Sequence, residues 1–195
     1  MHLVILVMVL GIVGKIGSGK SYLVKYMVGR FKDSDIKVFS CDDIAKDLIE
    51  SGKTSYTGGK IMPYIFFTNE NLQEEIRNTL HPEVFNKIND DIAAYRVENP
   101  DKDILFIIET ALPSEFFYKM CDKVIYIRSS YENSYKRLKE NRGYVDNQIK
   151  LIYNSQEYYK KFYNMADYII DNDGDKETLN KKIDEVLNEI YLVCK

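Results

Sequence analysis

The stretch Val7-Met8-Val9-Leu10-Gly11-Ile12-Val13-Gly14-Lys15-Ile16-Gly17-Ser18-Gly19-Lys20-Ser21 decides the fold. Its first half is an unbroken apolar run, which reads as a strand buried on both faces in a parallel sheet. Its second half fits G-x-x-x-x-G-K-[ST] at Gly14, Gly19, Lys20 and Ser21, and Leu23, Met27 and Phe31 then repeat at helical spacing. Strand, glycine loop and helix start form the context in which this motif cradles phosphate. The glycines let backbone N–H groups turn toward a β-phosphate, Lys20 bridges the β- and γ-phosphates, and the Ser21 hydroxyl ligates Mg²⁺. The helix N-terminus adds roughly half a positive charge. Ile16, Gly17, Ser18 and Tyr22 complete the expected ATP-binding segment. Lys15 is a second cation in the loop; it is either a phosphate contact or a solvated lysine, and solvation is expected.

Upstream, the apolar run reaches back to Leu3, where a signal peptide would also sit. It lacks a Lys/Arg n-region and falls short of the about 20 residues that span a bilayer. Met8 is an alternative start to Met1, which would make the first residues an extension.

The 195 residues carry 27 Lys+Arg against 30 Asp+Glu, a net charge of −3, with 45% hydrophobic, 13% aromatic and 29% charged residues. The apolar fraction excludes a disordered chain, and three cysteines, Cys41, Cys121 and Cys194, exclude a disulfide scaffold. Neither these cysteines nor His2 and His81 have metal-site spacing, so no zinc site is expected. A reducing, cytoplasmic setting is the plain reading. The charge balance, with no Lys/Arg-rich run, argues against nucleic acid as a partner, and the hydropathy argues against a membrane.

Five short apolar runs, Val7 to Val13, Ile36 to Ser40, Ile104 to Glu109, Val124 to Arg128 and Tyr168 to Asp171, alternate with helical patterns. That alternation predicts an α/β domain with a five-stranded parallel sheet. Ile183, Val186, Leu187, Ile190 and Tyr191 form one stripe, which predicts a terminal helix packed on the sheet. The pattern is weakest between Leu48 and Asn69, with turns at Ser51-Gly52 and Gly58-Gly59. No repeat or linker divides the chain.

Ligands bind such sheets at the carboxyl ends of the strands. Asp42 follows the second strand in Phe39-Ser40-Cys41-Asp42-Asp43 and is either an acid beside an acceptor hydroxyl or a helix N-cap, with local sequence dividing evenly between the two. Glu109 ends the third strand and is a candidate to hold Mg²⁺ through water. Arg137 and Arg142 lie on a helix end and in the following break at Asn141-Arg142-Gly143-Tyr144, where a lid that closes over the migrating phosphate is expected. Their alternative is a solvated helix face, the expected fate of Lys136, Lys139 and Glu140. Asp171-Asn172-Asp173-Gly174 is a turn on the ligand edge, where Asn172 and Gly174 are candidate contacts to the base. By comparison with small GTPases, an N/T-K-x-D base-reading motif is absent, which favours a small-molecule phosphotransferase over a switch.

Together these motifs resemble the dephospho-CoA kinase family, within the P-loop proteins similar to nucleoside-monophosphate kinases. The loop is similar to that family's first strand and loop, Cys41-Asp42-Asp43-Ile44-Ala45-Lys46 to its D-x-D-x-I-A-R, and Leu80-His81-Pro82 to its L-H-P. Gln156 with Ala166-Asp167-Tyr168-Ile169-Ile170-Asp171-Asn172-Asp173-Gly174 resembles its Q…A-D-x-x-I-D-N-x-G. The resemblance implies a three-layer P-loop fold with core residues about 1–50 and 101–195, an acceptor-side helical region about 51–100 and a lid about 137–150. It implies ATP and dephospho-CoA as partners, Mg²⁺ as cofactor, and transfer of the γ-phosphate to the ribose 3′-hydroxyl of dephospho-CoA, the last step of coenzyme A synthesis. Asp42 is then the acid at that hydroxyl, Lys20 the phosphate cation, Arg137 or Arg142 the lid cation, and Glu109 a site acid near metal and acceptor. His81 either contacts the acceptor or caps the helix at Pro82, the cap being slightly preferred.

Several positions depart from the family pattern. Tyr22 stands in place of the usual Thr and Ser40 in place of the first acid of D-x-D. Thr110-Ala111-Leu112-Pro113-Ser114-Glu115 replaces P-L-L-x-E, and Phe162 occupies the place of a basic residue beside Lys160 and Lys161. Arg142 falls one place late, and the segment from Asp42 to His81 is short. Two alternatives therefore stand beside the leading one: a related kinase with another acceptor, and a nucleotide-binding protein without catalysis.

Overall fold

A computed structural model of the chain describes residues 7–31, 35–58 and 69–193. Met1, His2, the run from Leu3 to Leu6, Gly59 and Cys194 lie outside the described residues, as does the side chain of Tyr191. The elements are β1 (Val7–Val13), α1 (Lys20–Arg30), β2 (Asp35–Ser40), α2 (Cys41–Glu50), α3 (Glu70–Asn78), α4 (Leu80–Glu98), β3 (Ile104–Thr110), α5 (Glu115–Met120), β4 (Lys123–Arg128), α6 (Tyr131–Arg142), α7 (Asp146–Ser155), a 3₁₀ turn (Gln156–Tyr159), α8 (Lys160–Tyr163), β5 (Tyr168–Asp171) and α9 (Lys176–Val193). All five strands foreseen from the apolar runs are present, each within one residue of its expected bounds.

The strands form one all-parallel sheet in the order β2-β3-β1-β4-β5. β1 is central, and every residue of it after Val7 is buried, which is why its sequence is continuously apolar rather than alternating. Val9 and Val13 face a core built with Ile88 of α4 and Phe117 of α5. Met8, Leu10 and Ile12 face the opposite core, built with Leu23 and Met27 of α1 and Ile183, Leu187 and Ile190 of α9. The terminal stripe expected from sequence thus packs on the sheet, with Val186 partly buried against it. A Cβ at Gly11 would lie 2.4 Å from the Phe117 ring and 2.8 Å from Cys121 Sγ, so the absent side chain is what lets α5 press onto β1.

Register aligns the carboxyl ends on one edge. Val13 pairs with Thr110 and with Tyr126, Ser40 with Glu109, and Arg128 with Asp171. The loop at residues 14–19 leaves this edge between β3 and β4, where the direction of strand addition reverses, the place at which open parallel sheets bind ligands. In the segment of weakest pattern, α2 closes on a Schellman turn, Gly52 N–H donating to Ile49 O at 3.2 Å and Lys53 N–H to Leu48 O at 2.9 Å. The following turn is held by Glu83 of α4, which accepts from Ser55 N–H at 2.9 Å and Ser55 Oγ at 2.6 Å. Among the described residues no helix is long and apolar enough to cross a membrane.

Candidate active site

Lys20 opens α1, and its Nζ donates to the carbonyl of Gly14 at 3.0 Å and to that of Lys15 at 3.4 Å. The ammonium is thereby folded back along the loop it must serve. Loss of water around it pulls its pKa below the ordinary lysine value; the carboxylates of Glu109 and Asp42 act in the opposite sense, and Arg142 adds to the fall. One cation from α1, one acid from β3, one from α2 and one arginine from the end of α6 therefore share an electrostatic neighbourhood. The next residue, Ser21, donates its hydroxyl to Glu109 Oε1 at 3.1 Å.

Ser21 and Glu109 offer two hard oxygen donors side by side. Among the described residues no cluster of three or more His, Cys, Asp or Glu could hold a metal, so a transition-metal cage is not what the donors fit. A hydroxyl and one carboxylate suit Mg²⁺, which keeps waters and phosphate oxygens as its remaining ligands.

Asp42 is exposed in the first turn of α2. The capping alternative does not hold for it: Ser40 is the N-cap, its Oγ accepting the Asp43 N–H at 3.3 Å. Asp42 is left free of that duty, and its charge acts on Lys20. His81 likewise is not a cap. Thr79 holds the N-cap position of α4, and His81 sits inside the first turn, edge-on to Phe85 with ring centroids 6.4 Å apart. Burial pushes its pKa down to about 4, with Arg77 contributing, so at neutral pH the ring is uncharged.

Other candidates are engaged by contacts within the protein. Arg137 donates from Nη1 to Gly17 O at 3.3 Å and Ser129 Oγ at 3.0 Å, and from Nη2 to Asn172 O at 2.7 Å. It is not the solvated arginine that its place on a charged helix suggests. Asn172 is buried; its Nδ2 donates to Ser18 O at 2.7 Å and its Oδ1 accepts from Arg137 at 3.2 Å. Both ends of the amide expected at the base are thus engaged. Gly19 has φ +106°, and a Cβ there would lie 2.2 Å from Asn172 Nδ2, so the loop and the turn after β5 are in direct contact. Gly174 lies in the exposed part of that turn, beside Thr178. Tyr22 points to α9, donating to Asn180 Oδ1 at 2.8 Å. Lys15, expected in solvent, pairs with Glu157 and lies 4.1 Å from the centroid of the Tyr153 ring.

Two further residues, quoted within motifs but given no individual role there, shape the site. Asp173 accepts from Ser129 Oγ at 2.9 Å, Ser130 N–H at 2.8 Å and Asn133 Nδ2 at 2.9 Å. Partial burial raises its pKa, but these donors outweigh it and bring the value down to about 2. Gln156, fully buried, accepts the Ile16 N–H at 2.9 Å. The D-N-D-G turn and the isolated Gln are visible in the sequence, but their partners are not.

With this geometry in place, comparison with known proteins is specific. The family model described as dephospho-CoA kinase matches residues 59–178. A dephospho-CoA kinase from Fusobacterium nucleatum is 29% identical over 204 aligned residues, covering 94% of this chain and 99% of that protein. Among solved structures, the Thermus thermophilus protein TT1252 superposes with a TM-score of 0.67 at 18% identity, covering 95% and 98% of the two chains. A dephospho-CoA kinase from Campylobacter jejuni superposes with a TM-score of 0.52 at 24% identity, covering 93% and 96%.

Proposed function

We propose that this chain, which belongs to the dephospho-CoA kinase family, transfers the γ-phosphate of ATP to the 3′-hydroxyl of the ribose of dephospho-CoA, giving ADP and coenzyme A. The observation that carries the reading is the convergence of Lys20, the Ser21–Glu109 pair, Asp42 and Arg142 at the carboxyl edge of the sheet. These groups supply what phosphoryl transfer asks of a protein, namely position and charge rather than a covalent intermediate.

In this reading the N–H groups of Gly19, Lys20 and Ser21 and the Lys20 ammonium hold the β- and γ-phosphates, and Lys20 exchanges the Gly14 and Lys15 carbonyls for phosphate oxygens. Asp42 accepts the proton of the attacking hydroxyl as the new O–P bond forms and the bond from γ-phosphorus to the β–γ bridging oxygen breaks. Arg142, at the tip of a lid formed by α6 and α7, balances the charge on the migrating group. Ser21 and Glu109 would hold Mg²⁺, which when bound neutralises phosphate charge and aligns the β- and γ-oxygens. The acceptor side would be the region of about residues 51–100, which carries α3 and α4. Two free thiols among the described cysteines, Cys41 and Cys121, fit a cytoplasmic enzyme.

Incubation of the purified protein with ATP, Mg²⁺ and a panel of acceptors tests this reading. ADP and coenzyme A should form together with dephospho-CoA. Turnover with a nucleoside monophosphate and none with dephospho-CoA would reject the acceptor and leave a kinase; ATP binding with no transfer to any acceptor would reject the enzyme.

A further inference from the structure

Two neighbouring residues of the loop, Lys15 and Ile16, are tied to the end of α7. Lys15 pairs with Glu157, and its side chain is only 12% exposed against 55% for its partner. Its ammonium also sits 4.1 Å from the centroid of the Tyr153 ring, well inside the range at which a ring face attracts a cation. The Ile16 N–H donates to Gln156 Oε1 at 2.9 Å. All three partners lie at the carboxyl end of α7 or immediately beyond it. Tyr153 in turn packs edge-on against Tyr131, in the first turn of α6, with centroids 4.9 Å apart. Residues 15 and 16 thus contact the end of the paired helices, while residues 19 to 21 are the part that the kinase reading assigns to phosphate.

We propose that Lys15 is a positioning residue which, together with Ile16, ties the phosphate loop to Gln156 and Glu157, so that nucleotide binding in the loop and ordering of the α6–α7 lid are one event. The inference deepens the kinase reading and rests on it for the word lid. A loop that shifts to grip phosphate must pull on the end of α7 through a charge pair, a ring contact and the hydrogen bond from the Ile16 N–H to the Gln156 side chain. A lid that closes over the phosphate pushes back through the same three contacts.

The test uses Lys15→Met, Glu157→Gln and the double variant in the full chain, with thermal melts to verify folding; Glu157 is exposed enough for its neutral form to leave the core intact. Each single change should weaken ATP binding, read by calorimetry, about five-fold, and should speed hydrogen exchange of the α7 amides. The double variant should be little worse than the poorer single one, because both remove one tie. Unchanged ATP affinity and α7 exchange in Lys15→Met would overturn the proposal, as would losses that multiply in the double variant. A lowered melting temperature with neither effect would overturn it too, assigning Lys15 to packing alone. Failure of the wild-type chain to phosphorylate dephospho-CoA would strike the acceptor reading only, since ATP affinity and exchange are measured without an acceptor.

Discussion

The Asn172 side-chain amide donates to the carbonyl of Ser18 at 2.7 Å, joining the turn after the edge strand β5 to the phosphate loop that leaves the central strand β1. Arg137 closes the arrangement from above, reaching both Asn172 and Gly17. The loop conformation is thus held from outside by residues more than a hundred positions away. Asn172→Asp keeps the shape of the side chain but turns the donor facing Ser18 O into an acceptor. That change should cost about 2 kcal/mol of stability, and ATP affinity should fall with it. Urea denaturation with and without ATP measures both; a variant with full stability and full ATP affinity would show the contact to be incidental.

The two arginines expected to share the lid role should separate. Arg137→Ala removes the clamp, so it should lower the melting temperature, with ATP affinity falling in step. Arg142 is exposed at the end of α6 and acts on Lys20 through charge, so Arg142→Ala should leave the melting temperature unchanged and lower kcat by about 10²-fold. The opposite pattern, with Arg137→Ala stable and slow, would exchange the roles.

These arginines show where reading the chain reaches its limit. β1 was legible because a central parallel strand must be apolar on both faces, and Lys20, Ser21 and Glu109 because a motif or a strand end places each of them without any distant partner. Asn172 and Arg137 were visible as candidates, yet a buried amide facing a carbonyl and a buried amide facing a base have the same sequence. Lys15 looked solvated because its partners, Glu157 and Tyr153, belong to a helix end whose place beside the loop depends on the packing of α6 and α7. Asp42 and His81 are not caps for a local reason: Ser40 and Thr79 each stand two residues earlier and take the cap position.

Stability should depend on pH through His81. Its pKa is about 4 in the folded protein against 6.5 for an ordinary histidine, so the unfolded chain binds the extra proton more readily, and folding stability rises with pH across this window. The contribution is complete above pH 6.5 and is lost as pH falls toward 4. A difference of 6.5 − 4 = 2.5 corresponds to roughly 3 kcal/mol at full extent. Other groups also titrate in this range, so the informative quantity is the difference between proteins: His81→Gln should show a smaller gain in stability from pH 4.5 to pH 7.5 than the wild type. Equal gains in the two proteins would place the ring in water.

Asp42 and Lys20 should fail in different ways, and the difference identifies the base. In the proposed reaction Lys20 holds phosphate before and during transfer, so Lys20→Ala should abolish turnover and weaken ATP binding together. Asp42 is exposed in the first turn of α2, and in the proposed reaction it meets the acceptor hydroxyl and not the nucleotide. Asp42→Asn keeps the helix start, since Ser40 supplies the cap, but it cannot take the proton. Loss of a positioned base lowers a rate by about 10²-fold or more, so kcat should fall by that much while KM for ATP stays within about two-fold. Because the missing proton acceptor is replaceable in part by hydroxide, the residual rate of Asp42→Asn should climb with pH above neutrality where the wild-type rate is flat. Equal losses in kcat and ATP affinity, with no such climb, would make Asp42 a structural residue of the α2 start and move the search for the base elsewhere on the same sheet edge.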